Sequence, residues 1–234
     1  MQAIFDHSED VTNDIRSFWF KPSQPLNYTA GQFTEITLPH KDVDDRGIKR
    51  WFTLSSAPGG ELVSITTRRA HEQSSSFKKA LWALQPGQEV DMAEAMGDFV
   101  LPKLTQTPLI FVAGGIGITP FHSIAAWLRD TKESRPIRLL HAVRTEDDII
   151  FQDVFEAANI NETVVVSEPS ETWGGVRGRL DAETILGLEK PSDDALIFLS
   201  GPEPMLEALE ADLKEHGIAE RQLVTDFFPG YNSL

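Results

Sequence analysis

The sequence has no cysteine among its 234 residues. That absence excludes disulfides, thiolate-held iron–sulfur clusters, thiolate zinc sites and a cysteine nucleophile. The six histidines are scattered without metal-ligand spacing, so no metal site is expected. A lone residue such as His122 reads as a helix-surface or core side chain. No apolar run is long enough to span a bilayer. Met1 to Glu9 lacks the basic and apolar regions of a signal peptide, and a cytoplasmic location is expected by default. Positive charge is scarce: 21 Lys and Arg stand against 36 Asp and Glu, a formal net charge of −15. With no basic stripe to neutralise phosphates, nucleic-acid binding is not expected. The acidity reads either as solubility or as a surface for a basic partner.

The chain is long enough for two modest domains, and its two halves have different rhythms. Up to about Leu101, short alternating runs are separated by turn residues. Ser17–Phe20, Phe33–Leu38 and Leu62–Thr67 are such runs; Pro22–Pro25, Ala30-Gly31, Pro58–Gly60 and Pro86-Gly87 are the turns. Many short strands with Gly/Pro turns predict an antiparallel β-barrel, interrupted by one helix over Ser75–Leu84 with Ser74 or Ser75 as its cap. From Pro108 onward, apolar strands at Leu109–Ala113, Ile137–Val143, Thr163–Val166, Ala195–Leu199 and Gln222–Phe227 alternate with helical segments. Those segments are Pro120–Arg129, Phe151–Ala158, Asp181–Leu186 and Glu203–His216. Such a βαβ series predicts a parallel sheet covered on both faces. The expected boundary lies in Pro102–Thr107, giving a β-barrel domain over 1–104 and an α/β domain over 105–234.

Two segments carry chemistry. Gly114-Gly115-Ile116-Gly117-Ile118-Thr119-Pro120 joins an apolar strand to a segment of helical spacing in which Phe121, Ile124, Ala125 and Leu128 share one face. Thr119 suits an N-cap and Pro120 a first helical residue. Such a turn serves positive φ, or lets backbone N–H groups approach a phosphate at the positive end of a helix. The spacing is not the Gly-x-Gly-x-x-Gly dinucleotide fingerprint. The second segment is Arg50-Trp51-Phe52-Thr53-Leu54-Ser55-Ser56. Strand alternation puts Arg50, Phe52 and Leu54 on one face and Trp51, Thr53 and Ser55 on the other. An Arg beside an aromatic ring and hydroxyls suits a ligand with a phosphate, a flat ring and polar edges; a surface strand with an incidental Arg is the alternative.

The order of these motifs resembles the ferredoxin–NADP reductase-like flavoprotein superfamily. Its barrel motif, Arg-x-Tyr/Phe-Ser/Thr-x-x-Ser, is met by Arg50, Phe52, Thr53 and Ser56, and its Gly-Gly-x-Gly-Ile/Val-Thr-Pro motif by Gly114 to Pro120. A third, Cys-Gly-Pro-x-x-Met, stands here as Ser200-Gly201-Pro202-Glu203-Pro204-Met205. Weaker matches are Ala30-Gly31-Gln32-Phe33, Pro86-Gly87, Gly97-Asp98-Phe99 and the aromatic tail Asp226–Tyr231.

The resemblance implies a flavin-binding barrel followed by a nucleotide-binding domain, with FAD as cofactor and NADH or NADPH as co-substrate. It implies that Arg50 binds the flavin pyrophosphate and that Phe52 stacks on the isoalloxazine in place of the usual Tyr. Thr53 is expected at the ring edge where hydride arrives. Trp51 and Ser56 belong to the same segment, and Thr66 and Thr67 to the next flavin-lining strand. Ser75 and Ser76 stand where relatives offer a helix N-terminus to the pyrophosphate, without the usual upstream glycine. Gly115, Gly117 and Thr119 are expected to hold the nicotinamide nucleotide, and Gly201 and Pro202 to line its pocket. Ser200 replaces a Cys near the hydride-transfer centre. Asp226 stands where a terminal acidic residue often lies near the flavin, and Phe228 or Tyr231 is expected to cover the ring. The expected catalytic set is thus Thr53, Ser200 and Asp226. With no cysteine for a fused iron–sulfur domain, electrons are expected to leave for a separate acceptor. A carrier protein such as ferredoxin or flavodoxin is the first expectation; a free small acceptor, or a role as a flavin-binding subunit, is the alternative. Glu168 follows Ser167 where NADP-dependent relatives often place an Arg, so NADH is the expected nucleotide.

Overall fold

Alternating buried and exposed side chains build the first half of the chain into strands, and continuous apolar runs build the second. The computed structural model describes residues 1–69 and 74–226. The chain divides into two units, Met1–Val100 and Leu101–Leu234.

The first unit contains β1 (Gln2–Asp10), β2 (Ile15–Pro22), β3 (Phe33–Thr37), β4 (Lys49–Thr53), β5 (Val63–Arg68) and β6 (Glu89–Met92). They pair antiparallel in the order β4-β3-β6-β1-β2-β5. A bridge between Leu54, just past β4, and Ile65 on β5 joins the two ends of the sheet. The sheet thereby closes as a barrel, which removes exposed strand edges. Phe5, Phe18, Phe20, Ile36, Leu54 and Ile65 fill it. The helix α1 (Ser76–Trp82) packs against this core through Phe77 and Leu81, both completely buried. Ser75 is its cap, accepting the Lys78 N–H at 3.2 Å.

Strand β1 is not evident in the sequence. Only Ala3 and Phe5 of its nine residues are fully buried. Its place comes from its partners: it lies between β2 and β6, with Phe5 opposite Phe20.

The second unit is a parallel sheet of β7 (Leu109–Gly114), β8 (Ile137–Val143), β9 (Asn161–Val166), β10 (Val176–Arg177), β11 (Leu196–Ser200) and β12 (Leu223–Thr225). Its order is β10-β9-β8-β7-β11-β12. The helices are α2 (Thr119–Thr131), α3 (Gln152–Ala157), α4 (Ala182–Leu188) and α5 (Glu203–Glu215). Every residue of β7 is buried, as expected of a central parallel strand covered on both faces. An antiparallel barrel followed by a parallel α/β sheet is the predicted fold class. The two-residue β10 was too short for periodicity to show.

One local expectation is corrected. Thr119 is not an N-cap: a 3₁₀ turn over Gly115–Ile118 runs directly into α2, and Thr119 is already helical. Its hydroxyl donates to the Ile116 carbonyl at 3.2 Å. The chain never leaves the helical region at Ile118 (φ −66°, ψ −18°), so no cap position exists there.

Candidate functional site

In the barrel unit, β4 and the start of α1 bring cations together. Arg50 is 8% exposed. Its Nη1 donates to the carbonyls of Arg46 at 2.6 Å and Lys49 at 2.5 Å. Its Nη2 is buried without a hydrogen-bond partner, the nearest counter-charge being Asp44 Oδ1 at 3.7 Å. The guanidinium lies over the Phe77 ring, 5.3 Å from its centre. Lys78 donates to the Arg68 carbonyl at 2.6 Å. Burial, then the positive charges of Arg46, Arg50 and Arg68, lowers its pKa from the ordinary lysine value. Three further cations therefore act on Lys78, in a chain whose net charge is −15. An assembled cluster of like charge is costly unless an anion meets it.

Asp44 supplies one such anion. Its Oδ2 accepts the Ser76 N–H at 2.8 Å, and its amide donates to Ser76 Oγ at 3.0 Å. The Ser76 amide, with help from Arg46, holds the Asp44 carboxyl below its usual pKa. Ser76 Oγ also contacts His40 Nε2 at 2.9 Å.

The other barrel residues singled out by the sequence are placed as follows. Phe52 is 8% exposed and belongs to the core, its ring centre 5.8 Å from that of Phe77. Trp51 and Phe33 meet edge to face, with centres 5.4 Å apart. Thr53 is buried on β4 opposite Phe33. Ser56 Oγ accepts the Ser64 N–H at 3.0 Å and contacts the Tyr28 hydroxyl at 2.9 Å. Burial pushes that phenol up to about 12. Thr66 shares a 2.7 Å hydrogen bond with Ser17, and Thr67 is buried opposite Arg16. Arg50, Phe52, Ser75 and Ser76 thus gather around α1.

In the α/β unit, β8 flanks β7 on one side and β11 on the other. The chain order reverses between β7 and β11, which makes a topological switch point; ligands of open α/β sheets bind at the carboxyl ends of the strands there. Both glycine motifs sit at those ends. Ser200 pairs with Ala113, so the Gly114–Gly117 turn and the Ser200–Pro202 turn are neighbours. A Cβ on Gly117 would overlap the Ser200 carbonyl oxygen and lie 2.6 Å from Gly201 Cα and N. Gly115 has φ +52° and open space around it, so its requirement is conformational. Pro202 precedes α5 at its N-cap. Thr119 is 5% exposed.

Ser200 and Asp226 are 2% and 5% exposed, and the Ser200 hydroxyl donates to Asp226 Oδ2 at 3.0 Å. Burial pushes the Asp226 carboxyl up to about 7; the hydrogen bond from Ser200 pulls the other way. Phe228 and Tyr231 lie outside the described residues. Among the described residues no cluster of His, Asp or Glu could hold a metal, and no helix is long and apolar enough to cross a membrane.

The sequence reading did not single out Asp44, Arg46, Lys78 or His141. Lys78 had a local signal, three residues after the Ser75 cap. Asp44 and Arg46 pair locally, two residues apart, at 3.2 Å; Asp44 meets Ser76, and His141 meets Glu162 and Gly115, only through tertiary packing.

Residues 111–211 match the oxidoreductase NAD-binding domain family. The chain is 31% identical over 221 residues to the glycine betaine monooxygenase reductase subunit of Chromohalobacter salexigens, covering 88% of this chain and 58% of that protein. The chain thus spans little more than half the length of that curated relative. The flavohem-like FAD/NAD-binding domain of nitric oxide dioxygenase from Vibrio cholerae superposes with a TM-score of 0.83 at 19% identity, covering 97% of this chain and 98% of that one. A ferredoxin NADP+ reductase from Neisseria gonorrhoeae with bound FAD and NADP gives 0.80 at 17% identity, with 97% of each chain covered. At those identities the two structures establish the fold.

Proposed function

We propose that this chain, which belongs to the ferredoxin–NADP reductase-like flavoprotein superfamily, is an FAD-dependent NAD(P)H oxidoreductase that passes electrons to a separate acceptor. The observation that carries this reading is the buried Arg50 Nη2, a charged donor left without a hydrogen-bond partner inside a cationic cluster. A pyrophosphate is the ligand that such a cluster fits. The second unit supports the reading with a glycine turn at the switch point, where Gly117 has no room for a side chain.

The chemistry supplied when both groups are bound is hydride transfer from nicotinamide to flavin, followed by release of electrons singly or as a pair. Arg50 binds the flavin pyrophosphate through Nη2, with Arg46 and Lys78 adding charge. Ser75 fixes the start of α1, so that Phe77 supports Arg50 from below. Thr53 offers its hydroxyl to the reacting edge of the flavin. The backbone of Gly115 to Thr119 receives the nucleotide phosphates. Gly201 and Pro202 line the nicotinamide pocket. Ser200 and Asp226 hold a proton between buried oxygens at the end of β11. No side-chain nucleophile is required, because the protein's part is to bind, align and exclude water.

The acceptor we favour is a protein carrier such as ferredoxin or flavodoxin. The name of the Chromohalobacter relative, a reductase subunit of a monooxygenase, supports a protein partner. The test is anaerobic addition of NADH, and in parallel NADPH, to the FAD-loaded protein. Bleaching of the yellow flavin within seconds is expected; a flavin that stays oxidised with both nucleotides refutes the reading. Steady-state assays with ferredoxin, flavodoxin, free flavin and ferric chelates then identify the acceptor class.

A further inference from the structure

His141 is a completely buried histidine in the middle of the parallel sheet. Its Nε2 lies 3.2 Å from the carbonyl oxygen of Gly115, and its Nδ1 lies 3.1 Å from Glu162 Oε1 on β9. The Glu162 side chain is itself only 7% exposed. A carbonyl oxygen can only accept, so Nε2 carries a proton and donates it to Gly115. One further proton is then held between Nδ1 and the Glu162 carboxyl, on whichever of the two carries it. A buried polar pair of this kind is expensive to build. A hydrophobic residue on β8 would fill the same space without that cost.

Gly115 is the first residue of the 3₁₀ turn, at φ +52° with nothing near its missing side chain. A glycine in open space can rotate its following peptide plane more freely than any other residue. The chain has no cis peptide among its described residues, so the 115–116 plane is trans. In a trans peptide the C=O and N–H point in opposite directions. A hydrogen bond that holds the Gly115 C=O against the sheet therefore turns the Ile116 N–H away from His141. The far end of the turn needs no such device, because Gly117 is already wedged against Ser200 and Gly201.

We propose that His141, oriented by Glu162, is a positioning residue for the pyridine nucleotide: it locks the 115–116 peptide plane so that the turn presents its amides to the nucleotide phosphates. This rests on the nucleotide-binding role proposed above for the α/β unit. His141 touches no substrate in this scheme and acts through the backbone of the turn.

The experiment uses the full chain loaded with FAD, with NADH and a small artificial acceptor. His141→Phe keeps a ring and removes both nitrogens. We expect the KM for NADH to rise tenfold or more, with a smaller change in kcat and with FAD content unchanged. Glu162→Leu strands Nδ1 and should raise KM in the same direction. Glu162→Gln can still donate to Nδ1 and should restore a value near wild type. A purely structural role would lower Tm in all three without this split or this rescue. A folded His141→Phe variant with native KM overturns the proposal. If that variant does not fold, Glu162→Leu decides: native KM there overturns the proposal as well. A wild-type protein that does not bind NADH at all refutes instead the functional reading beneath it.

Discussion

The Ser200 hydroxyl donates a 3.0 Å hydrogen bond to Asp226 Oδ2, inside the α/β unit and almost wholly removed from water. The bond joins the end of β11 to the residue just past β12. The Asp226 amide strengthens the junction by donating to the Leu199 carbonyl at 2.9 Å. A hydroxyl with one neighbour does not compensate a buried carboxylate for its lost hydration, so the carboxyl titrates near 7.

That value makes a stability prediction. Between about pH 4 and pH 7 the unfolded chain has lost the Asp226 proton and the folded chain has kept it. The folded state therefore binds more protons, and stability falls as pH rises through that window, then levels off above it. The full effect is at most roughly 4 kcal/mol. Asp226→Asn should abolish this share of the fall, so that the variant gains Tm over wild type at pH 8 but not at pH 4. Thermal melts of both proteins across that range give the difference curve. A flat difference would place the titration elsewhere.

Arg50→Ala should weaken FAD retention by roughly ten- to a hundredfold, since each charged hydrogen bond contributes about 1.5–3 kcal/mol. Arg50→Lys should recover only part, because an ammonium lacks the guanidinium fork. Flavin fluorescence quenching on titration of the apoprotein measures both. Equal affinities in all three proteins would remove Arg50 from the flavin site.

Gly117→Ala should disturb the nucleotide turn more than Gly115→Ala disturbs its packing. At Gly117 the new methyl collides with the Ser200 and Gly201 backbone, which cannot swing aside; at Gly115 it meets open space and only backbone strain. A collision of this kind costs on the order of 1–3 kcal/mol. Urea melts should show the larger loss for Gly117→Ala, together with weaker NADH binding. The reverse order of stabilities would contradict the close approach.

Glu168 is exposed past β9, and its amide donates to the Arg144 carbonyl at 2.8 Å. Nearby, Arg177 spends one nitrogen on the carbonyls of Ser170, Glu171 and Trp173, at 3.1, 3.2 and 2.7 Å. Guanidinium charge engaged in this way is less available to a 2′-phosphate, whereas a free carboxylate repels one. NADH should therefore be preferred by tenfold or more in kcat/KM, about 1.4 kcal/mol. Glu168→Arg should move the ratio toward NADPH. A preference of wild type for NADPH would sink this assignment.

The class of fold and the order of motifs were readable in the sequence because both depend on short-range pattern. Gly/Pro turns between alternating runs mark antiparallel strands, and apolar runs interleaved with helical spacing mark parallel ones. Periodicity finds Phe121, Ile124, Ala125 and Leu128 of α2, all of them buried, but not Ser123 and Ala126, which are buried as well. Strand β1 was not readable, since seven of its nine residues are not fully buried and its hydrogen bonds are made with β2 and β6.

The sequence by itself determined which chemical groups are available: glycines at a strand end, an Arg before an aromatic, no thiol, and a surplus of acid. Only the tertiary structure decided which of them meet. It set Ser200 against Asp226 across 26 positions of chain, and His141 against both Glu162 and the Gly115 carbonyl. It buried Arg50 with one nitrogen unanswered and crowded Lys78 against other cations. The physical reason is that hydrogen bonds and charge interactions act over a few ångströms. Which residues come that close is set by sheet order and core packing, and local spacing carries no record of it.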